Sequence, residues 1–102
     1  MQEWIIEAHD FEWDRHNADK IKAKHKVEVY ECEEAFFNEL FVSYDEEHSQ
    51  TEQRYWALGR TNAERLIFIV FTMRNKNIRV ISARDMDRSE RKIYEERIKE
   101  GS

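Results

Sequence analysis

The chain of 102 residues has no proline, two glycines and one cysteine, and each scarcity excludes something. Without proline, and with Gly59 the only glycine ahead of the closing Gly101-Ser102, few sharp loops and no flexible linker are expected. Cys32 by itself forms no internal disulfide, so a secreted, disulfide-framed fold is not indicated. The longest apolar run, Leu66 to Phe71, falls far below the roughly 20 residues that span a bilayer. No basic segment leading into an apolar stretch reads as a secretory leader. These absences give a cytoplasmic protein without a membrane partner. Phosphate-cradling glycine loops are missing, and the histidines at 9, 16, 25 and 48 offer no i, i+4 zinc pair. Asp45-Glu46-Glu47-His48 lacks the spaced oxygens and turn glycine of a calcium loop. Neither a metal nor a cofactor is expected.

What is present is charge. Asp, Glu, Lys and Arg make up 38% of the chain, well above the usual quarter, and the net charge is −5. Residues 1–53 hold 15 acidic and 5 basic side chains, whereas residues 54–102 hold 7 and 12. Local potential steers a polyanion more than total charge does, so the second half is where phosphate would bind. Solvated charged faces are the plainer alternative. The length suits one domain over residues 1–102.

Periodicity gives the elements. Trp4-Ile5-Ile6 and Phe11-Glu12-Trp13 read as short extended pieces. Asp14 is an N-cap for a helix from about Arg15 to Lys24, with Ala18, Ile21 and His25 on one face. A second helix from about Glu28 to Asn38 carries Val29, Cys32, Phe36 and Leu40 as its buried stripe, which makes Cys32 a small core residue. The period then changes. Residues 40–44 form a strand, 45–50 a polar turn, and 54–60 an alternating strand. Leu66–Phe71 is expected to be the central strand, buried on both faces and flanked by strands around 54–60 and 78–84. Asn75-Lys76-Asn77 closes a hairpin. Strict alternation over 79–84 would put Arg79, Ile81 and Ala83 on one side and Val80, Ser82 and Arg84 on the other. Asp87 and Glu90 form a capping box opening a mostly polar helix to about Lys99, anchored by Ile93, Tyr94 and Ile98. The fold class is α+β: two helices, an antiparallel meander and a closing helix.

By themselves these residues support a polyanion-binding α+β domain, and metal-independent cleavage of RNA is one chemistry open to it. That cleavage needs a base for the 2′-OH, cations for the phosphorane and an acid for the leaving oxygen. Arginine suits the cation task because its fork binds phosphate and stays charged. Arg54, Arg65, Arg79 and Arg84 lie on or beside adjacent strands and could converge. His25, Glu52, Glu90 and Tyr94 are the acid–base candidates, and each also has a structural reading. His25 complements a helix C-terminus, Glu90 completes a capping box, and Tyr94 is a core anchor with a wet hydroxyl.

Phe11-Glu12-Trp13-Asp14 followed by a helix ending in Lys24-His25 resembles the N-terminal signature of the BrnT toxin family. Glu52-x-Arg54, Gly59, Arg79-Val80-Ile81-Ser82-Ala83-Arg84 and Ser89-Glu90-Arg91-x-x-Tyr94 resemble its second half in order and spacing. The resemblance spans about residues 11 to 95. It implies a RelE-like fold, metal-independent ribonuclease activity and neutralisation by an antitoxin of the BrnA type. Operator DNA would be contacted only through that antitoxin. On this reading His25, Arg54, Arg84, Glu90 and Tyr94 are catalytic. Lys24, Arg65, Arg79 and Arg91 bind RNA phosphates, and Ile93, Tyr94 and Ile98 bind the partner. A non-catalytic domain that binds an antitoxin and acts in operon repression is the alternative. One departure stands out: where the family reads Lys-His-Gly-Val, Lys26 replaces the glycine, a strained choice if that position is left-handed.

Overall fold

The computed structural model describes residues 10–48 and 51–100, so the extended piece expected at Trp4-Ile5-Ile6 lies outside the described residues. In chain order the elements are β1 (Asp10–Phe11), α1 (Arg15–His25), α2 (Val29–Phe37), β2 (Phe41–Tyr44), β3 (Arg54–Arg60), β4 (Leu66–Arg74), β5 (Asn77–Asp85) and α3 (Arg88–Glu100). This is the expected α+β order, with one addition. The sheet runs β1-β5-β4-β3-β2, and β2 to β5 form the antiparallel meander. β1 joins as a fifth strand, parallel to β5, making the sheet mixed. Two residues are too few to show a period in the sequence.

Local chemistry explains the helix ends. The Asp14 carboxylate accepts from the Asn17 backbone N–H at 2.7 Å and starts α1. α1 stops because Lys26 turns left-handed, φ 56 and ψ 36. A lysine in this left-handed conformation costs about 1 kcal/mol. The Glu28 N–H donates to Glu31 Oε1 at 3.0 Å as α2 begins. At α3 the capping box is complete: Glu90 N–H donates to Asp87 Oδ1 at 2.8 Å, and Asp87 N–H to Glu90 Oε1 at 2.9 Å. Asn75 and Lys76 both have positive φ, which suits the tight β4–β5 hairpin.

Helices α1 and α2 pack on β5, β4 and β3, and α3 packs on β2 and β3 on the other side of the sheet. The larger core gathers Ile21, Cys32, Ala35 and Phe36 from the helices against Ile67, Ile69, Phe71, Val80 and Ala83. Gly59 lets α2 close on the sheet, since a Cβ there would meet Ala35 O at 3.3 Å. β4 is central, as its composition suggested, but it is not equally buried on both faces. Ile67, Ile69 and Phe71 are fully covered, whereas Leu66, Phe68 and Val70 are half-buried. Two helices cover one face; a single helix, displaced toward β2, covers only part of the other.

The alternation expected in β5 is also overturned. Val70 pairs with Ser82 and Phe71 with Val80, leaving Ile81 as an extra bulged residue. Val80 and Ala83 consequently share the larger core although they are three residues apart. Arg79 and Arg84, assigned to opposite sides by strict alternation, flank those core residues and lie on the same open face.

Candidate functional site

The open face is assembled from cross-strand rows. Arg54, Thr72 and Arg79 form one row across β3, β4 and β5, and Leu58, Phe68 and Arg84 form another. Between them, Trp56 pairs with Val70 and Val70 with Ser82. Four β3 positions separate the two arginine-bearing rows, about 13 Å along the strand. Phe41, Trp56 and Phe68 make an aromatic line across three strands, with ring centroids 5.6 Å and 6.2 Å apart. Arg97 lies over Phe41 at 5.1 Å and Arg84 over Phe68 at 4.3 Å, one cation at each end of the line.

Arg84 is held from a second direction. Its Nη1 and Nη2 donate to Glu90 Oε1 and Oε2 at 2.8 Å and 3.0 Å, a two-pronged pair that raises its already high pKa. Arg79 donates to Asp14 Oδ2 at 2.7 Å and Glu12 Oε1 at 3.4 Å. The Asn17 backbone N–H, more than Arg79, holds the Asp14 carboxyl below the usual range. Arg74 reaches Glu12 and Glu52, both at 3.6 Å, at the same edge. This face therefore unites Arg54, Arg79, Arg84 and Glu90 of the residues singled out in the sequence, with Glu52 at its border.

The other candidates sit elsewhere. Lys24 and His25 occupy the last turn of α1, where His25 offers its backbone carbonyl to Arg65 at 3.4 Å. Arg65, expected to bind phosphate, is a structural tie. It donates to Asp85 Oδ1 at 2.7 Å, to Glu31 Oε1 at 3.0 Å and to the carbonyl of Lys26 at 2.9 Å. Its hydrogen bond keeps the Asp85 carboxyl low, and Arg91 and His25 add to that as nearby cations. Tyr94 is 4% exposed and donates its hydroxyl to Glu39 O at 2.7 Å, and burial pushes its pKa up. It packs inside the second core with Leu58 and Met86 rather than presenting a free hydroxyl or a partner surface. Ile98 packs partly against the same cluster, and Ile93 stays 39% exposed.

Trp56 and Phe68 are the members of this face that sequence reasoning missed. Trp56 carried a usable signal, since Arg54, Trp56, Leu58 and Arg60 alternate. Phe68 was hidden inside the continuous apolar run, which erases any distinction between faces. Among the described residues no three His, Cys, Asp or Glu side chains gather as a metal cluster. No described helix is long and apolar enough to cross a membrane.

The comparisons with known proteins meet this geometry. None of the curated protein sequences matches the chain. The solved structure of the Brucella abortus ribonuclease toxin BrnT is similar, with a TM-score of 0.56 and 21% identity. That match covers 78% of this chain and 97% of the Brucella chain, which shows a shared fold. Residues 13–90 match the family described as "Ribonuclease toxin, BrnT, of type II toxin-antitoxin system". That span takes in α1, α2, the four-stranded meander and the capped start of α3, so the chain belongs to the BrnT family of type II toxin–antitoxin ribonuclease toxins.

Proposed function

We propose that the protein cleaves RNA on the open sheet face, without a metal, by attack of the 2′-oxygen on the adjacent phosphorus. The observation that carries this reading is the Ile81 bulge, which turns Arg79 to the same face as Arg84 and Arg54. In the reaction the O2′–P bond forms and the P–O5′ bond breaks. One proton leaves the 2′-oxygen and one reaches the 5′-oxygen. Arg54 and Arg79 hold the phosphate and the charge that grows on it. Glu52, next to the Arg54–Arg79 row and paired with Arg74 at the same edge, is the proton carrier of this reading. The pairs of Arg79 with Glu12 and Asp14 are partly exposed, so exchanging a carboxylate for phosphate costs little.

Cleavage persists in excess chelator and leaves a 2′,3′-cyclic phosphate. Arg79→Ala lowers kcat on the order of 100-fold with little change in binding. Products ending in a 3′-OH, or cleavage abolished by chelation, defeat the reading.

An antitoxin silences the toxin by covering α3, with Ile93 and Ile98 as its apolar anchors. The exposure of Ile93 on a helix otherwise rich in charge supports this placement. The likeness to the BrnT family supports an antitoxin of the BrnA type, with operator DNA contacted through it.

A further inference from the structure

We infer that Arg84 presents the flat face of its guanidinium to one unpaired nucleobase of the RNA, as the open end of a Trp56–Phe68–Arg84 stack. This deepens the ribonuclease reading and rests on it. One side of the guanidinium lies against Phe68, 4.3 Å from the ring centroid. Behind Phe68, Trp56 stacks at an interplanar angle of 24°, so two rings back the guanidinium. The edge is occupied as well. Nη1 and Nη2 donate to both Glu90 oxygens, and Nη1 also donates to the Asp85 carbonyl at 3.0 Å. Yet the side chain remains 37% exposed. Phe68 and Glu90 cover two sides of the group, and the planar face away from Phe68 is the side to which neither contact extends.

A fork already closed on a carboxylate is poorly placed to take a phosphate. Glu90 is not easily displaced, because its side chain is only 16% exposed and it also accepts from the Asp87 N–H. Arg84 therefore differs from Arg79, whose acidic partners are the more exposed members of their pairs. A π-face fixed from behind and from its edge suits base stacking, in which guanidinium planes serve as well as aromatic rings. A paired, internally stacked duplex offers no free base face. The substrate class is thus single-stranded RNA, laid along β5, which carries both Arg84 and Arg79, with its phosphates toward Arg79 and Arg54.

The test uses a 2′-fluoro oligoribonucleotide of about six nucleotides, which cannot attack its own phosphate, and abasic versions of it at each position. Affinity for the full-length protein is read by fluorescence anisotropy. One abasic position weakens wild-type binding about 10-fold, within the range for loss of one stacked base. Arg84→Lys keeps the charge but removes the plane, so the same abasic change has no effect in that variant. An equal penalty in both proteins, or no penalty at any position, overturns the inference. If circular dichroism shows Arg84→Lys unfolded, Phe68→Leu decides: the penalty shrinks when the backing ring is lost, and an unchanged penalty is fatal. The two readings fail separately. A base penalty with intact unmodified RNA removes the ribonuclease reading and keeps the stacking site, whereas cleavage with no base penalty does the reverse.

Discussion

Replacing Arg65 with methionine should unfold the protein more readily while leaving the chemistry of the open face alone. Methionine keeps an apolar stem but removes every donor. Four groups then lose a partner: Glu31, Asp85 and the carbonyls of Lys26 and His25. They do not weigh equally. The Asp85 side chain is 65% exposed, so its ion pair contributes under about 1 kcal/mol. The Glu31 side chain is 12% exposed and would keep only the Glu28 N–H, so losing its cation costs about 1–3 kcal/mol. The carbonyls close the turn between α1 and α2, where water replaces only part of a charged donor. The sum is about 2–4 kcal/mol out of a typical 5–15, or roughly 10–25 °C in Tm for a domain of this length. Urea unfolding of wild type, Arg65→Met, Glu31→Met and the double variant measures the loss and the Glu31–Arg65 coupling. A Tm within a degree or two of wild type, together with lost RNA cleavage, would show that Arg65 serves substrate and that the reasoning is wrong.

Acid should erase part of that difference. Arg65 holds the Asp85 carboxyl below its ordinary range, so its stabilisation is present above about pH 4 and is lost as pH falls through the lowered folded value. The gap in stability between wild type and Arg65→Met accordingly narrows below about pH 4; a gap constant from pH 7 to pH 3 contradicts the assignment. Gly59→Ala puts a methyl 3.1 Å from the Ala35 Cβ and 3.3 Å from its carbonyl, which backbone cannot yield cheaply. A loss of about 1–3 kcal/mol by denaturant midpoint is expected, and an unchanged midpoint would deny the close approach. Burial pushes the Cys32 thiol up to about 12, so iodoacetamide at pH 8 labels it only after unfolding; rapid labelling of the native protein refutes this. Changing Ile93 and Ile98 together to serine should weaken antitoxin binding at least 10-fold, and unchanged affinity in a folded variant would remove α3 from the interface.

Much of the architecture follows from short-range rules. Asp14 before α1 and the Asp87/Glu90 box before α3 were readable because capping uses residues within three positions of one another. Period 3.6 in the first half and period 2 in the second reflect which side of each element meets a core. The hairpin at Asn75-Lys76 was signalled by asparagine, which tolerates positive φ, although Lys76 takes one as well. Lys26 does take the left-handed conformation that the departure at this position had raised only as a condition.

What the chain alone did not reveal depends on contacts distant in sequence. β1 exists because Phe11 finds Ile78 across 67 residues, and a two-residue strand has no pattern of its own. Arg65 and Arg84 look alike in sequence; one meets Glu31 and Asp85, the other Glu90 and the Phe68 ring. The decisive step is the bulge at Ile81. Alternation counts residues, and a bulge changes the count without changing residue type. The sequence by itself determined the helices and the four-stranded meander, the caps of α1 and α3, and the basic second half. Only the tertiary structure decided which arginines share a face, because that depends on pairing register between strands, and register is set by the partner strand.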